Sequence, residues 1–350
     1  MDFKNETRYF KKCVGFFLIL SLSFIFVACQ KNVSKQLVSE TSMKLGTVVT
    51  ISMYDTDKSE VYERIYKRID DIESKMSFNM DTSEISNINR NSGRGAVVVS
   101  NDTFEVIEKS IEFADLSSGT LDPTIGPLVE LWGIGSETAS VPSKESIEEL
   151  LSLVNYRNVL LDSETNSVFL ILEGMKLDLG AIVKGYVADE IVSILDENHI
   201  NSAIINLGGN VYVKGKRSDG SPWRIGIQNP FEARGSYLGI AEVVDKTVVT
   251  SGIYERFIEK DGVIYHHILN PSDGYSVEND LASVTIISTS SIEADSYSTV
   301  LFALGLEEGM RFANDSGINA IFITRDRKVY LSNNTDTMFT LKNKDFQLIK

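Results

Sequence analysis

The sequence predicts an α+β protein with a largely antiparallel sheet, and three observations carry that expectation. Strand-like runs bunch towards the C-terminal half, helical runs are interspersed among them, and no period repeats along the chain. A doubly wound fold would alternate strand and helix throughout. With 350 residues and 43% hydrophobic composition, the chain has enough apolar material for one large domain or two ordinary ones.

The first thirty residues read as targeting, not fold. Lys4, Arg8, Lys11 and Lys12 make a basic start, and residues 14–28 are apolar but shorter than the ~20 a membrane-spanning helix needs. The run ends FVAC, a small residue directly before Cys29, which resembles a bacterial lipoprotein signal although Phe26 stands where Leu is usual. The expectation is an exported chain, lipid-anchored through Cys29 to the extracytoplasmic face of the membrane; a plain signal peptide or an uncleaved anchor is the alternative. Cys13 would leave with the signal, so the mature chain keeps no free thiol. Residues 30–40 read as a polar tether, and 41–350 as the folded domain.

Residues 45–53 (LGTVVTISM) read as a strand rich in β-branched residues, and 58–76 as a helix with Val61, Ile65, Ile69, Ile72 and Met76 on one stripe. Residues 77–91 form a polar loop with a short helix at 83–89. A second amphipathic helix covers 101–118, with Phe104, Ile107, Ile111 and Ala114 inward. The stretch GTLDPTIGPLVELWGIG (119–135) holds two prolines and four glycines among apolar residues, which predicts irregular backbone. Its Asp122 either caps local N–H groups or meets a ligand. A helix at 142–154 follows, with Ser143 near its N-cap, then a hairpin of 158–162 and 167–172.

Residues 176–189, KLDLGAIVKGYVAD, read as a short strand ending in Asp178, a turn at Gly180 and a helix that runs to about 198. A helix N-terminus there leaves N–H groups unpaired and suits a phosphate, and Lys184 adds positive charge. The spacing is neither a Walker loop nor GxGxxG, and alone it fits an ordinary strand–turn–helix. A strand at 202–207 ends in Gly208–Gly209–Asn210. Strands then fill 211–270, with a hairpin turn at 260–262. Another strand covers 284–288, helices cover 293–304 and 306–316, a hairpin pairs 319–324 with 328–332, and a weak strand closes the chain.

The formal charge of −15 excludes an ordinary nucleic-acid partner, because an acidic surface repels phosphate backbones. Only three histidines are present, which excludes a multi-histidine zinc site. His266 and His267 alternate on a strand, so only one can face a site. Asp295 and Thr299 are four apart on one helix face, and with a nearby carbonyl they suit a hard cation such as Mg²⁺. Taken alone, the pair fits better an Asp favoured by the helix dipole and a Thr bonding back to the backbone.

Seven segments occur in order: MSFNMDTSEISNIN, GTLDPTIGPLVELWG, LDLGAIVKGYVAD, NLGGNVYVKG, TSGIYERF, HHILNP and EADSYST. Together they resemble the ApbE family, Mg²⁺-dependent FAD:protein FMN transferases that are often exported lipoproteins, over residues 45 to about 324. The resemblance implies transfer of FMN from FAD to a Thr or Ser hydroxyl of an acceptor flavoprotein, with AMP leaving. It implies Ala181 (through its carbonyl), Asp295 and Thr299 as ligands of Mg²⁺, with Ser298 adjoining. Leu45, Asn79, Thr120, Leu121, Asp122, Asp178, Lys184 and Leu269 are implied to contact FAD, and His267 to be the catalytic histidine with His266 its outward-facing neighbour. Asn79 departs from the family pattern, in which an aromatic is common; Asn cannot stack on a ring. That departure keeps open an FAD pyrophosphatase, which would use water and yield FMN and AMP. A non-catalytic flavin-binding lipoprotein is the contrasting expectation from a different class.

Overall fold

The computed structural model describes residues 36–54 and 59–349, so the expected signal segment with Cys13 and Cys29, most of the tether, and Lys58 lie outside the described residues. Strand β1 (Val38–Lys44) pairs antiparallel with β2 (Thr47–Met53) through a turn at Leu45–Gly46, both with positive φ. Residues 38–40, expected in the tether, therefore begin the sheet. The polar composition VSETSMK hid this strand because it lies at the sheet edge, where Ser and Thr side chains pair across the ladder: Ser39 Oγ with Ser52 Oγ at 2.7 Å, and Thr41 Oγ1 with Thr50 Oγ1 at 3.0 Å.

Helix α1 (Ser59–Met76) buries the stripe its spacing predicts: Val61, Ile65, Ile69, Ile72 and Met76. Helix α2 (Glu84–Arg90) starts at Ser83, whose Oγ accepts the Ser86 N–H at 2.9 Å. Strand β3 (Val97–Val98) precedes α3 (Asn101–Leu116). Within the stretch expected to be irregular, α4 (Gly126–Trp132) forms: Pro127 falls in its first turn, where a missing N–H costs nothing, and Gly133 ends it at φ 57°. Helix α5 (Lys144–Leu151) is capped by Ser143, and β4 (Val159–Asp162) and β5 (Ser167–Leu170) make the expected hairpin.

The strand expected at 176–178 shrinks to a single bridge between Lys176 and Ile125. The turn before α4 is too short to continue a ladder, and the Asn89 side chain of α2 takes the next main-chain groups, accepting from the Leu177 N–H at 2.7 Å and donating to its carbonyl at 3.1 Å. Helix α6 (Val183–Glu197) follows, then β6 (Ser202–Leu207), β7 (Asn210–Gly215), β8 (Trp223–Gln228), β9 (Tyr237–Val243), β10 (Lys246–Gly252), β11 (Phe257–Lys260), β12 (Val263–His266) and β13 (Leu281–Ser288). Helix α7 (Ser291–Asp315) contains one break, at Gly305 (φ 77°, ψ −176°), where the sequence predicts two helices. Strands β14 (Asn319–Thr324), β15 (Lys328–Leu331), β16 (Phe339–Leu341) and β17 (Gln347–Ile349) close the chain.

Nine strands form the main sheet in the order β1-β2-β6-β7-β10-β13-β14-β15-β17. Every pairing is antiparallel except β15 with β17. The α+β expectation holds. Strand β14 explains the layering. Its Ala320 and Phe322 pack with α7, while Ile321 and Ile323 pack on the other face with Trp223, Ile227, Leu238 and Phe339 of the small β16-β9-β8 sheet. A strand covered on both faces reads as an unbroken apolar run, NAIFIT. Helices α1, α3 and α6 share a further core with β2 and β6. Arg68 of α1 ties them further, to Asp102 of α3 at 2.7 Å and Glu190 of α6 at 2.8 Å.

Candidate active site

The N-terminus of α6 meets the first turns of α7. Gly185 permits that approach: a Cβ there would lie 2.3 Å from the Ser291 carbonyl oxygen and 2.6 Å from Ile292 Cα. The Gly185 N–H donates to Asp295 Oδ2 at 3.0 Å, in place of the Ala181 carbonyl four residues back. Ala181 thus keeps an acceptor free of the helix ladder beside a buried carboxylate. Lys184 brings its ammonium to 3.3 Å from Asp295 Oδ1 and donates to the Gly180 carbonyl at 3.2 Å.

One turn further along α7, Ser298 Oγ donates to the Asp295 carbonyl at 2.8 Å and lies 2.8 Å from Ser251 Oγ at the end of β10. Thr299 Oγ1 lies 3.4 Å from Ser251 Oγ and 3.5 Å from the Asp295 carbonyl, distances that hold it only weakly. The back-bond expected for an ordinary helix Thr is therefore poor, and its hydroxyl keeps capacity for another partner.

Asp178 and His267 extend this site. Water reaches both side chains, yet each is ringed by enough protein to shift its titration, the situation of groups on a cleft wall. Burial raises Asp178, opposed by the Gly180 N–H (2.7 Å to Oδ1), Lys184 and Arg256. His267 is pushed down to about 4, first by desolvation and then by His266 and Arg256. Its Nδ1 lies 3.3 Å from the Arg256 carbonyl, which can only accept, so the contact selects the Nδ1–H tautomer and leaves the Nε2 lone pair available. His266, expected to face outward, instead turns into the core on the face of the strand opposite His267: it is buried, and its Nε2 lies 2.9 Å from the Val277 carbonyl. Sequence reasoning passed over Arg256; its only signal is a basic residue in TSGIYERF shortly before the histidine pair.

The other expected contacts are placed as follows. Leu121 and Leu269 are buried in separate apolar clusters, so only their main chain can serve a ligand. Asp122 is buried; its Oδ1 accepts from the Thr124 N–H (2.8 Å) and hydroxyl (2.6 Å), and its Oδ2 from the Tyr156 N–H (2.9 Å). The capping reading of Asp122 is thus realised, and burial raises its pKa against those bonds. A cavity of about 460 Å³ is lined by Ser118 and Thr120 on one side and by Asn270, Tyr275 and Glu278 on the other. Asp295, Lys184 and His267 are not among its walls, which come from the Thr120 segment and the stretch just after Leu269. Leu45 packs at the rim of the largest core, and Asn79 is exposed.

The donor set around Asp295 is one carboxylate, one free carbonyl and one weakly held hydroxyl. All are oxygens, as Mg²⁺ prefers. No group of three or more His, Cys, Asp or Glu able to hold a metal occurs among the described residues. A site with a single carboxylate fits a cation that shares its coordination with substrate phosphates and water.

A family model described as "ApbE family" matches residues 45–322. The "FAD:protein FMN transferase" of Klebsiella pneumoniae (strain 342) is 38% identical over 314 residues, covering 89% of this chain and 96% of that protein. The "FAD:protein FMN transferase" of Treponema pallidum (strain Nichols) is 34% identical over 312 residues, covering 84% and 86%. Among solved structures, the flavin transferase ApbE from Vibrio cholerae superposes with a TM-score of 0.79 at 28% identity, covering 87% of this chain and 99% of that one. The ApbE protein from Thermotoga maritima gives 0.80 at 32% identity, with the same two coverages.

Proposed function

This chain belongs to the ApbE family, and from that premise we propose that it is an FAD:protein FMN transferase. The reaction breaks the P–O–P link of FAD, forms a phosphoester between the FMN phosphorus and a Thr or Ser oxygen of an acceptor protein, and releases AMP. One observation carries the assignment of the centre: a buried carboxylate, Asp295, locked onto the N-terminus of α6 beside Lys184 and the free Ala181 carbonyl. Ala181, Asp295 and Thr299 would hold Mg²⁺, whose charge would offset that of the diphosphate and of departing AMP.

The chain's own groups supply the rest. Lys184 and the α6 N-terminus place positive potential against the diphosphate in a protein that is otherwise acidic. His267, neutral at pH 7 with its Nε2 lone pair open, can take the acceptor's hydroxyl proton, although its depressed pKa makes it a weaker base than free imidazole. Asp178, on the same cleft wall, supplies an acceptor for a polar edge of the flavin nucleotide. The cavity by Thr120 falls within the size range of small-molecule sites and suits one end of the dinucleotide.

The test is incubation with FAD, Mg²⁺ and a flavoprotein bearing an acceptor Thr, followed by intact mass and in-gel flavin fluorescence. Covalent FMN is expected; its absence while FAD is bound refutes the proposal. The exposed polar Asn79, where an aromatic is common in the family, favours a second reading in which water is the nucleophile. Free FMN and AMP without an acceptor would mark that reaction, and Asn79→Tyr should shift the balance towards transfer.

Export and lipid anchoring through Cys29 complete the proposal, supported by the basic start, the apolar run and the FVAC junction. Among the described residues no helix is long and apolar enough to cross a membrane. Radiolabelled fatty acid should enter the wild-type protein and not Cys29→Ser.

A further inference from the structure

Neither helix of the site satisfies the whole of its own first turn. Helix α6 begins after Ile182, which has no side-chain oxygen to offer, and its Gly185 N–H goes to Asp295 of α7. Helix α7 begins after Ser290, whose Oγ accepts only from the Glu293 N–H, at 3.4 Å. The N–H groups of Ser291 and Ile292 go instead to Asp189 of α6. The Ser291 N–H lies 2.9 and 3.1 Å from the two Asp189 oxygens, and the Ile292 N–H lies 2.9 Å from Oδ2. Each helix is therefore capped by a carboxylate of the other.

An ordinary N-cap satisfies its own helix and leaves the helix free to rotate as a body. A cap supplied by a neighbour also fixes the two helices against each other. Gly185 and Asp189 are four apart on α6, and Ser291 and Asp295 are four apart on α7, so both bonds lie along one helix–helix seam. Asp189 grips the turn of α7 immediately before the turn that carries Asp295. Loosening that grip lets α7 roll, moving Asp295 and Thr299 away from Ala181.

We infer that Asp189 is a positioning residue of this reaction, holding the oxygen ligands of two helices in register for the divalent cation. The inference rests on the reading of Asp295 as a cation ligand. A carboxylate that touches backbone N–H groups rather than the ion acts only through Asp295, and groups of that kind typically change metal affinity by about 10- to 100-fold when removed.

The experiment uses the full chain with Asp189→Ala, Asp189→Asn and, as a control on the same helix, Asp196→Ala, which removes an ion pair to Lys214 (2.6 Å). Half-saturating Mg²⁺ for FMN transfer is measured together with kcat and the KM for FAD. Binding of Mn²⁺ in the presence of FAD, without acceptor, is followed by the electron paramagnetic resonance signal of the free ion. For Asp189→Ala, half-saturating Mg²⁺ and the Mn²⁺ dissociation constant should both rise about tenfold or more, with kcat recovered at excess Mg²⁺. Asp189→Asn keeps one accepting oxygen and should fall in between; Asp196→Ala should match wild type. Should the Ala variant fail to fold, the Asn variant decides. Wild-type cation dependence in a folded Asp189 variant overturns the inference alone. A wild-type protein without any divalent-cation requirement overturns it together with the functional reading beneath it.

Discussion

Replacing Gly185 by Ala tests the helix seam with a single methyl group. The new Cβ would stand 2.3 Å from the Ser291 carbonyl oxygen, 2.6 Å from Ile292 Cα and 2.7 Å from the Ser291 carbonyl carbon. All three are backbone atoms, so no side chain can swing aside. Restoring a contact of about 3.5 Å from 2.3 Å requires α6 and α7 to part by about 1 Å. Such overpacking costs about 1–3 kcal/mol. The same movement stretches the 3.0 Å bond from Gly185 N–H to Asp295 beyond hydrogen-bond range, and bonds to charged groups contribute about 1.5–3 kcal/mol each. A total of about 3–5 kcal/mol is expected, which at roughly 2 °C per kcal/mol for a domain of this size lowers Tm by about 6–10 °C. Chemical denaturation and thermal unfolding measure the stability, and the initial rate of covalent flavin incorporation measures the site. Loss of rate should persist well below the new Tm, because the ligands themselves have shifted. A Gly185→Ala protein with Tm within 2 °C of wild type and full activity would show that the seam yields, and the account of the site would be wrong.

Three further outcomes follow from the same geometry. Asp295→Asn keeps an oxygen for the Gly185 N–H but loses the charge, so stability should change by under about 1 kcal/mol while FMN incorporation falls at least about 10²-fold, measured by intact mass over time. His267→Gln, at an exposed side chain, should unfold like wild type yet lose about 10²- to 10⁴-fold in transfer rate, read as kcat at saturating FAD. His266 sets an acid limit: burial pushes its pKa from 6.5 down to about 4. The unfolded chain therefore binds the extra proton between those values, and stability falls as pH drops from about 6.5 to 4 by about 3 kcal/mol. Denaturant midpoints across that range should show the slope, and His266→Gln should reduce it, leaving the part that His267 contributes through its own depressed pKa.

Much of the fold was legible because burial imposed its period on the sequence. The α1 stripe from Val61 to Met76 and the doubly covered NAIFIT strand are examples. What escaped was structure whose signal is not an apolar period. Strand β1 presents Ser, Thr and Glu because its outer edge is wet. Helix α4 hides behind Pro127 and flanking glycines, since Pro is harmless only in a first turn and position within the turn cannot be read from composition. At the site, the residues of KLDLGAIVKGYVAD and EADSYST announced themselves as segments, and the contact between Gly185 and Asp295 joins them across 110 positions. Asp189 stood in plain view at the end of the first segment without a role. Its partners are backbone N–H groups of another helix, and a main-chain donor leaves no mark on residue identity.

The break at Gly305 has a consequence for how this enzyme can change over time. With φ 77° and ψ −176°, the residue occupies backbone space essentially closed to other amino acids. The Phe302 carbonyl there accepts from the Asn279 side chain at 2.7 Å. Helical phase is therefore not transmitted through the joint. An extra residue beyond it should leave the aim of Asp295 and Thr299 intact, whereas one inserted after Ser296 turns Thr299 by about 100° relative to Asp295. Comparing the activities of single-Ala insertions after Leu306 and after Ser296 reads that difference directly. The distal half of α7 is still held by its packing through Gly309 and Ala313, yet its helical phase is uncoupled from the half that carries Asp295 and Thr299.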